Sequence, residues 1–347
     1  GYGLTTEIVA VAQHYHPDLL ITVDNGISSV AGVDAANALG IEVLITDHHL
    51  PGDNLPAAAA IVNPNQPGCE FPCKSLAGVG VIFYVLIALR THMRDIGLFP
   101  AGAQPNLADF LDLVALGTVA DVVPLERNNR LLVAQGLNRM RTGHCCAGIK
   151  ALLQVAGRNA ENISAADLGF IIGPRLNAAG RLDDMSIGIQ CLLTDNPAKA
   201  LEYAQELDAL NRERRVIEGG MQKESQILLE KLQLDSKGQI PQGLCLYHPQ
   251  WHQGVIGILA SRVKERYHRP VIIFAQSDAG ELKGSGRSIL GVHLRDALDE
   301  IAKQAPHLLS KFGGHAMAAG LSLAEDNLEE FKTLFDQVVC NKIGPEG

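Results

Sequence analysis

The tetrapeptide Thr46-Asp47-His48-His49 closes the apolar run Val43-Leu44-Ile45. One carboxylate and two adjacent imidazoles at the end of a buried strand stand where open α/β sheets bind ligands. Carboxylate with imidazole is also a common donor mixture for catalytic divalent metals. Upstream, Leu19-Leu20-Ile21-Thr22-Val23-Asp24 repeats the design, an apolar strand whose last residue is an aspartate. A third acid, Asp121, follows the helical segment 107–120. Carboxylates from separate elements can bridge two cations about 3.5–4 Å apart, the arrangement that serves in-line phosphoryl displacement. Side chains alternate along an extended backbone, so His48 and His49 are expected to point in opposite directions, one to metal and one to substrate. On the plainer reading Asp24 only forms the turn before Asn25-Gly26 and the histidines are partly buried caps. The three positions together favour a metal-dependent hydrolase.

Two further segments carry chemistry suited to anions. Lys283-Gly284-Ser285-Gly286-Arg287-Ser288 and Gly313-Gly314-His315 combine glycines with cationic groups. Glycines let backbone N–H groups approach a phosphate, and an arginine can clamp one bidentately. His315 precedes Ala316-Met317-Ala318-Ala319, which places it at an expected helix N-terminus, another anion site. Between these segments and the first ones, Arg175, Asn177 and Arg181 suit phosphates and base edges. Equally, the two arginines could tie the first domain to a long helix, and both readings stay open.

The elements that must position these residues follow from periodicity. Segments 6–14 and 29–39 are expected helices, and 19–24 and 41–46 expected strands, a βαβ alternation that implies a parallel sheet. Segments 78–90 and 107–120 are further helices, the second stopped at Asp121-Val122-Val123-Pro124. Asp195 or Asn196 can cap a helix with Pro197 at or near its first position, opening a run of good helix formers that reaches about Leu234, with Gly219-Gly220 as an expected bend. After Ser236-Lys237-Gly238 a second α/β module begins, with strands at 243–247 and 271–275 around a helix at 254–266. The 347 residues suit two cores. A hydrophobic fraction of 47% with 19% charged residues describes a folded globular chain rather than a disordered one. No apolar run reaches the ~18 residues of a membrane span. Seven scattered cysteines without a zinc-knuckle spacing suit reduced thiols and a cytoplasmic location. The net charge of −9 argues against nucleic-acid attraction over the whole surface, so a polyanion would need a local basic groove.

The ordered set Val-Asp-Asn-Gly at Asp24, Thr-Asp-His-His at 46–49 and Gly-Thr-Val-Ala-Asp ending at Asp121 resembles the motifs of the DHH phosphoesterase superfamily. The 175–181 segment, Trp251-His252-Gln253-Gly254-Val255-Ile256-Gly257, Gly-Ser-Gly-Arg-Ser and Gly-Gly-His resemble its single-strand-specific 5′→3′ DNA exonuclease branch. The resemblance implies a parallel-sheet DHH phosphoesterase domain (1–195), a connecting helix (196–234) and a smaller α/β DHH-associated substrate-binding domain (235–347). It implies Mn²⁺ or Mg²⁺ held by Asp24, His48 and Asp121, with Asp47 orienting His48 and His49 meeting the scissile phosphate. Gly284, Ser285, Gly286, Arg287, Ser288, Gly313, Gly314, His315, Arg175, Asn177 and Arg181 are its expected phosphate contacts. The implied substrate is single-stranded DNA, and the implied partners are single-stranded-DNA-binding protein and a recombination helicase. The family's Asp-x-Asp-x-Asp motif is expected upstream of Gly1 and its oligonucleotide-binding fold after the Gly-Gly-His module, so partial metal occupancy and weak activity are expected of this chain. Rival readings are a phosphodiesterase for short oligonucleotides or cyclic dinucleotides and a non-catalytic DNA-binding scaffold.

Overall fold

A computed structural model describes residues 3–100, 103–235, 240–277 and 280–343. They form two compact units, Gly1–Asn177 with Met185–Asp208, and Ala178–Asp184 with Ala209–Gly347. The break expected at Ser236-Lys237-Gly238 lies outside the described residues.

In the first unit β1 (Leu19–Val23), β2 (Glu42–Thr46) and β3 (Ala60–Val62) form a parallel sheet in that order. Parallel neighbours need a crossover, and the helix Val30–Ala38 between β1 and β2 supplies it. Alternation along β2 buries Val43 and Ile45 against Val9, Val33, Ala36 and Ile41. The register pairs Val23 with Thr46, so Asp24 and Asp47 leave the sheet side by side at one edge. Backbone bonds fix both departures: the Asp24 N–H donates to the Thr46 carbonyl at 3.0 Å and the Asp47 N–H to that of Val62 at 3.1 Å. Two helices then matter for the site. Gly78–Asp95 begins with two glycines in its first turn, and Leu111–Ala120 buries Val114, Ala115, Leu116 and Thr118 before delivering Asp121 at its C-terminus.

In the second unit β4 (Leu244–Tyr247), β5 (Val271–Gln276), β6 (Glu281–Arg287), β7 (Lys311–Gly314) and β8 (Ala318–Ala324) form one sheet, ordered β4-β5-β6-β8-β7. Only the β4–β5 pair is parallel. The helix Ile256–Tyr267 packs with Val271 and Ile273 in one core, while Ile272, Phe274, Leu282 and Leu321 join Leu294, Phe331 and Phe335 in another. Covered on both faces, β5 is the buried apolar run its sequence announced. The helix Pro197–Asp235 starts as expected: the Asn196 side-chain oxygen accepts from the Ala198 and Lys199 N–H groups at 2.9 and 3.3 Å. It continues through Gly219-Gly220 without a break.

Two expectations fail here. The Gly-Ser-Gly-Arg segment, with backbone N–H groups expected to approach a phosphate, is the central strand β6, hydrogen-bonded to β5 and β8 on its two sides. Its burial alternates, with Leu282, Gly284 and Gly286 inward and Lys283, Ser285 and Arg287 outward. A Cβ on Gly284 would stand 2.7 Å from Leu321 and Phe274, and one on Gly286 2.6 Å from Leu294. These glycines serve core packing, and the ladder uses their backbone groups. Nor does His315 open a helix. It is the exposed first residue of the β7–β8 turn, where its N–H donates to the Ala318 carbonyl at 2.8 Å. Gly314 stands at φ +142 with Ala318 O 2.4 Å from any Cβ, so Gly-Gly is a hairpin requirement rather than an anion nest.

All seven cysteines are free thiols. Among the described residues no helix is long and apolar enough to cross a membrane.

Candidate metal centre

Asp24 follows β1 in the left-handed region, at φ +63. An aspartate tolerates this better than most residues, and the turn holds it there: the Thr22 hydroxyl donates to the Asn25 carbonyl at 2.7 Å and the Asn25 amide to the Val23 carbonyl at 2.9 Å. Asp121 caps the helix Leu111–Ala120 and is followed by Val122 at φ +60, costly for a β-branched residue. Of the four non-glycine residues with positive φ among the described residues, two therefore flank the same small region. Strain of this kind clusters at functional sites.

His48 joins the two acids. Its Nε2 lies 3.1 Å from Asp24 Oδ1 and 3.4 Å from Asp121 Oδ2. Yet that nitrogen is buried and has no bond of hydrogen-bonding geometry to either. The short distances are those of an ion pair. A buried imidazole nitrogen between two carboxylates suits a divalent cation taking oxygen and nitrogen donors. Asp24, His48 and His49 each offer a ligand atom, all within 4.8 Å of one another. The Asp24 carboxylate beside the ring raises the pKa of His48, more than burial lowers it. Burial raises the Asp121 carboxyl, helped by the like charge of Asp24 and opposed by His48.

Asp47, 1% exposed, organises the histidine pair. Its Oδ1 accepts from the backbone N–H groups of His48 and His49 at 2.7 and 3.1 Å and sits 2.7 Å from His49 Nδ1. Its Oδ2 accepts from the Ile27 N–H at 2.9 Å. Burial pushes this carboxyl up, but the His49 ring and the three backbone donors outweigh it and leave the pKa below the ordinary value. In return Asp47 raises the pKa of His49.

Two expectations are corrected. The side chain of Asp47 orients the ring of His49 and reaches His48 only through its backbone. The two rings do not point apart; their centroids are 4.5 Å apart in an edge-on contact. β2 ends at Thr46, and the Asp47 carboxylate folds the next two residues into a turn, so strand alternation no longer applies.

Sequence reasoning passed over the loop beneath this turn. The buried Asn63 donates to the His49 carbonyl at 2.9 Å, and Asn65 to the His48 carbonyl at 2.7 Å. The signal was the Asn63-Pro64-Asn65 triplet just after a strand. Gly78, whose missing Cβ leaves room for the Asp24 carboxylate, was passed over too.

The remaining candidates divide. In the first unit Arg175 is buried and committed to Asp208 of the long helix, at 2.9 Å from Nε and 2.8 Å from Nη2, and to the Ile171 carbonyl. That is the helix-tying arrangement. Asn177 is exposed on the helix Gly173–Leu182. In the second unit Ser288 is buried and donates to the Val292 carbonyl, so it closes a turn and is not available to a ligand. Arg287 donates to Ser285 Oγ at 3.3 Å and to the Gly286 carbonyl at 2.8 Å, and Arg181 to the Gly254 carbonyl at 3.2 Å. Neither makes an ion pair among the described residues. Burial lowers both pKa values, and the charge of Arg181 lowers that of Arg287 further. The carboxylate of Glu218 acts on Arg181 in the opposite sense and raises its pKa.

Residues 3–118 match the DHH family N-terminal domain and residues 241–341 the DHHA1 domain. The chain is 60% identical over 347 residues to the single-stranded-DNA-specific exonuclease RecJ of Escherichia coli strain K12, covering 99% of this chain and 60% of that protein. It thus spans about three-fifths of the length of the curated relatives it matches. A solved exonuclease RecJ bound to manganese is 34% identical with a TM-score of 0.78, over 98% of this chain and 79% of the other. RecJ of Thermus thermophilus in complex with Mn²⁺ is 33% identical with a TM-score of 0.79, over 96% of this chain and 46% of the other.

Proposed function

The chain belongs to the RecJ family of DHH phosphoesterases, and from that membership we propose that it is a metal-dependent 5′→3′ exonuclease, hydrolysing single-stranded DNA to 5′-mononucleotides. The observation that carries the reading is His48 Nε2 standing between Asp24 Oδ1 and Asp121 Oδ2, three residues from three separate elements. Asp24, His48 and Asp121 would hold Mn²⁺ or Mg²⁺. Bound there, the cation supplies Lewis acidity to a phosphodiester.

The chain's own residues do the rest. Asp47 offers only acceptors, so His49 Nδ1 carries the proton between them and the ring is held in one orientation. Because Asp47 raises the pKa of His49, the ring carries its second proton more readily and can donate to a phosphate oxygen. In the second unit Arg287, Arg181 and Ser285 offer donors to phosphates of the strand. Two carboxylates hold one cation more readily than two, so weak turnover belongs to the reading. Residues 1–195 apart from Arg181 carry the chemistry, and Arg181 with 235–347 the substrate contacts. The setting is cytoplasmic DNA repair and recombination, with single-stranded-DNA-binding protein and a recombination helicase as partners.

The test compares 5′-labelled and 3′-labelled single strands, a duplex and a dinucleotide with Mn²⁺, for the chain and for His48→Ala. Mononucleotides should be released from the 5′ end of the long single strand. The variant should lose about a hundred-fold in rate. Preference for the dinucleotide, or unchanged turnover in the variant, would overturn the reading.

A further inference from the structure

Asp24 can reach His48 only because Gly78 has no side chain. Gly78 is the buried first residue of the helix Gly78–Asp95. A Cβ placed on it would stand 2.3 Å from Asp24 Oδ1, 2.8 Å from Cγ and 2.9 Å from Cβ. That Oδ1 is the atom 3.1 Å from His48 Nε2. All three side-chain atoms fall inside contact distance, so a small rotation of the carboxylate would not relieve the overlap. Nor can the Asp24 backbone withdraw, since it is held at φ +63 by the Thr46 carbonyl and the Thr22–Asn25 turn. Ala77, at the N-cap of the helix, gives no side-chain cap, and the first turn of a helix favours a carboxylate beside it.

We propose that Gly78 is a positioning residue of the metal centre, its missing side chain seating the Asp24 carboxylate against the start of the helix and beside His48. The inference rests on the metal reading above, and its test separates the two. Mn²⁺ affinity is followed through the electron paramagnetic resonance of the free ion, and thermal stability is measured in metal-free buffer. The proteins are the wild-type chain, Gly78→Ala, Asp24→Gly, the double variant, and Gly52→Ala, whose Cβ would meet nothing within 4 Å.

Gly78→Ala should weaken Mn²⁺ binding by about ten-fold or more with its circular dichroism spectrum retained, while Gly52→Ala leaves it unchanged. In metal-free buffer Gly78→Ala should lower the melting temperature, and Asp24→Gly should restore most of that loss, because the overlap is with the Asp24 side chain. If Gly78→Ala alone fails to fold, recovery of folding in the double variant supports the assignment and failure to recover overturns it. Wild-type Mn²⁺ affinity in Gly78→Ala would overturn it as well. Absence of Mn²⁺ binding by the wild-type chain would sink the metal reading, while the metal-free stability cycle would still decide whether Gly78 makes room for Asp24.

Discussion

His48 is where protonation and metal compete for one nitrogen. The Asp24 carboxylate raises its pKa above the ordinary value of about 6.5. In the metal-free chain its contribution to stability is therefore fully present below that value and is lost as pH rises through the folded-state pKa. A cation needs the neutral ring, so the stability gained from Mn²⁺ must run the other way. We expect the rise in melting temperature on adding a fixed excess of Mn²⁺ to grow between about pH 6 and about pH 8. A rise of the same size throughout would remove His48 from the centre. The acid–imidazole chemistry was legible in the sequence because Asp24 and Asp47 end apolar strands. What each group touches was not. Asp47 turns the chain back on itself through three backbone donors, and no periodicity encodes a local turn made by a side chain.

Strands and helices set how far sequence reasoning reached. β1, β2, β4 and β5 announced themselves by apolar runs, and the long helix by its Asn-Pro start. β6 did not, because Gly-Ser-Gly has low strand propensity and carries no apolar alternation to read. Its inward positions are glycines for a reason found only in three dimensions: Leu294 of the helix Leu294–Gln304, and Leu321 and Phe274 of the flanking strands, fill the space a side chain would take. The same misreading placed His315 on a helix, although Ala-Met-Ala-Ala runs into β8. Gly286→Ala should lower stability by about 1–3 kcal/mol, the cost of overpacking a filled core, as read from urea unfolding. An unchanged midpoint would mean that Leu294 yields freely, and the packing account of this glycine would fail.

Across the whole molecule, two compact units each carry a sheet and a core of their own, and the helix Pro197–Asp235 contributes residues to both. That two sheets follow one another along the chain could be read from the alternation of elements. The exchange of 178–184 into the second unit could not, since it depends on contacts distant in sequence. The long helix has one more property. At Gly219 and Gly220 an added Cβ would meet nothing within 4 Å, so packing gives no reason for glycine at either place. Each glycine costs a helix about 1 kcal/mol relative to alanine, and side by side they place the least stable turn in the interior of an otherwise well-formed rod. Amide hydrogen exchange should report it directly, with the N–H groups around 219–223 exchanging faster than those around 204–208. Replacing both glycines with alanine should slow exchange at 219–223 by roughly ten-fold or more. Equal rates along the helix would show that neighbouring contacts already hold that turn closed. Otherwise the helix has a built-in point of opening, where the chain samples broken hydrogen bonds while both cores stay folded.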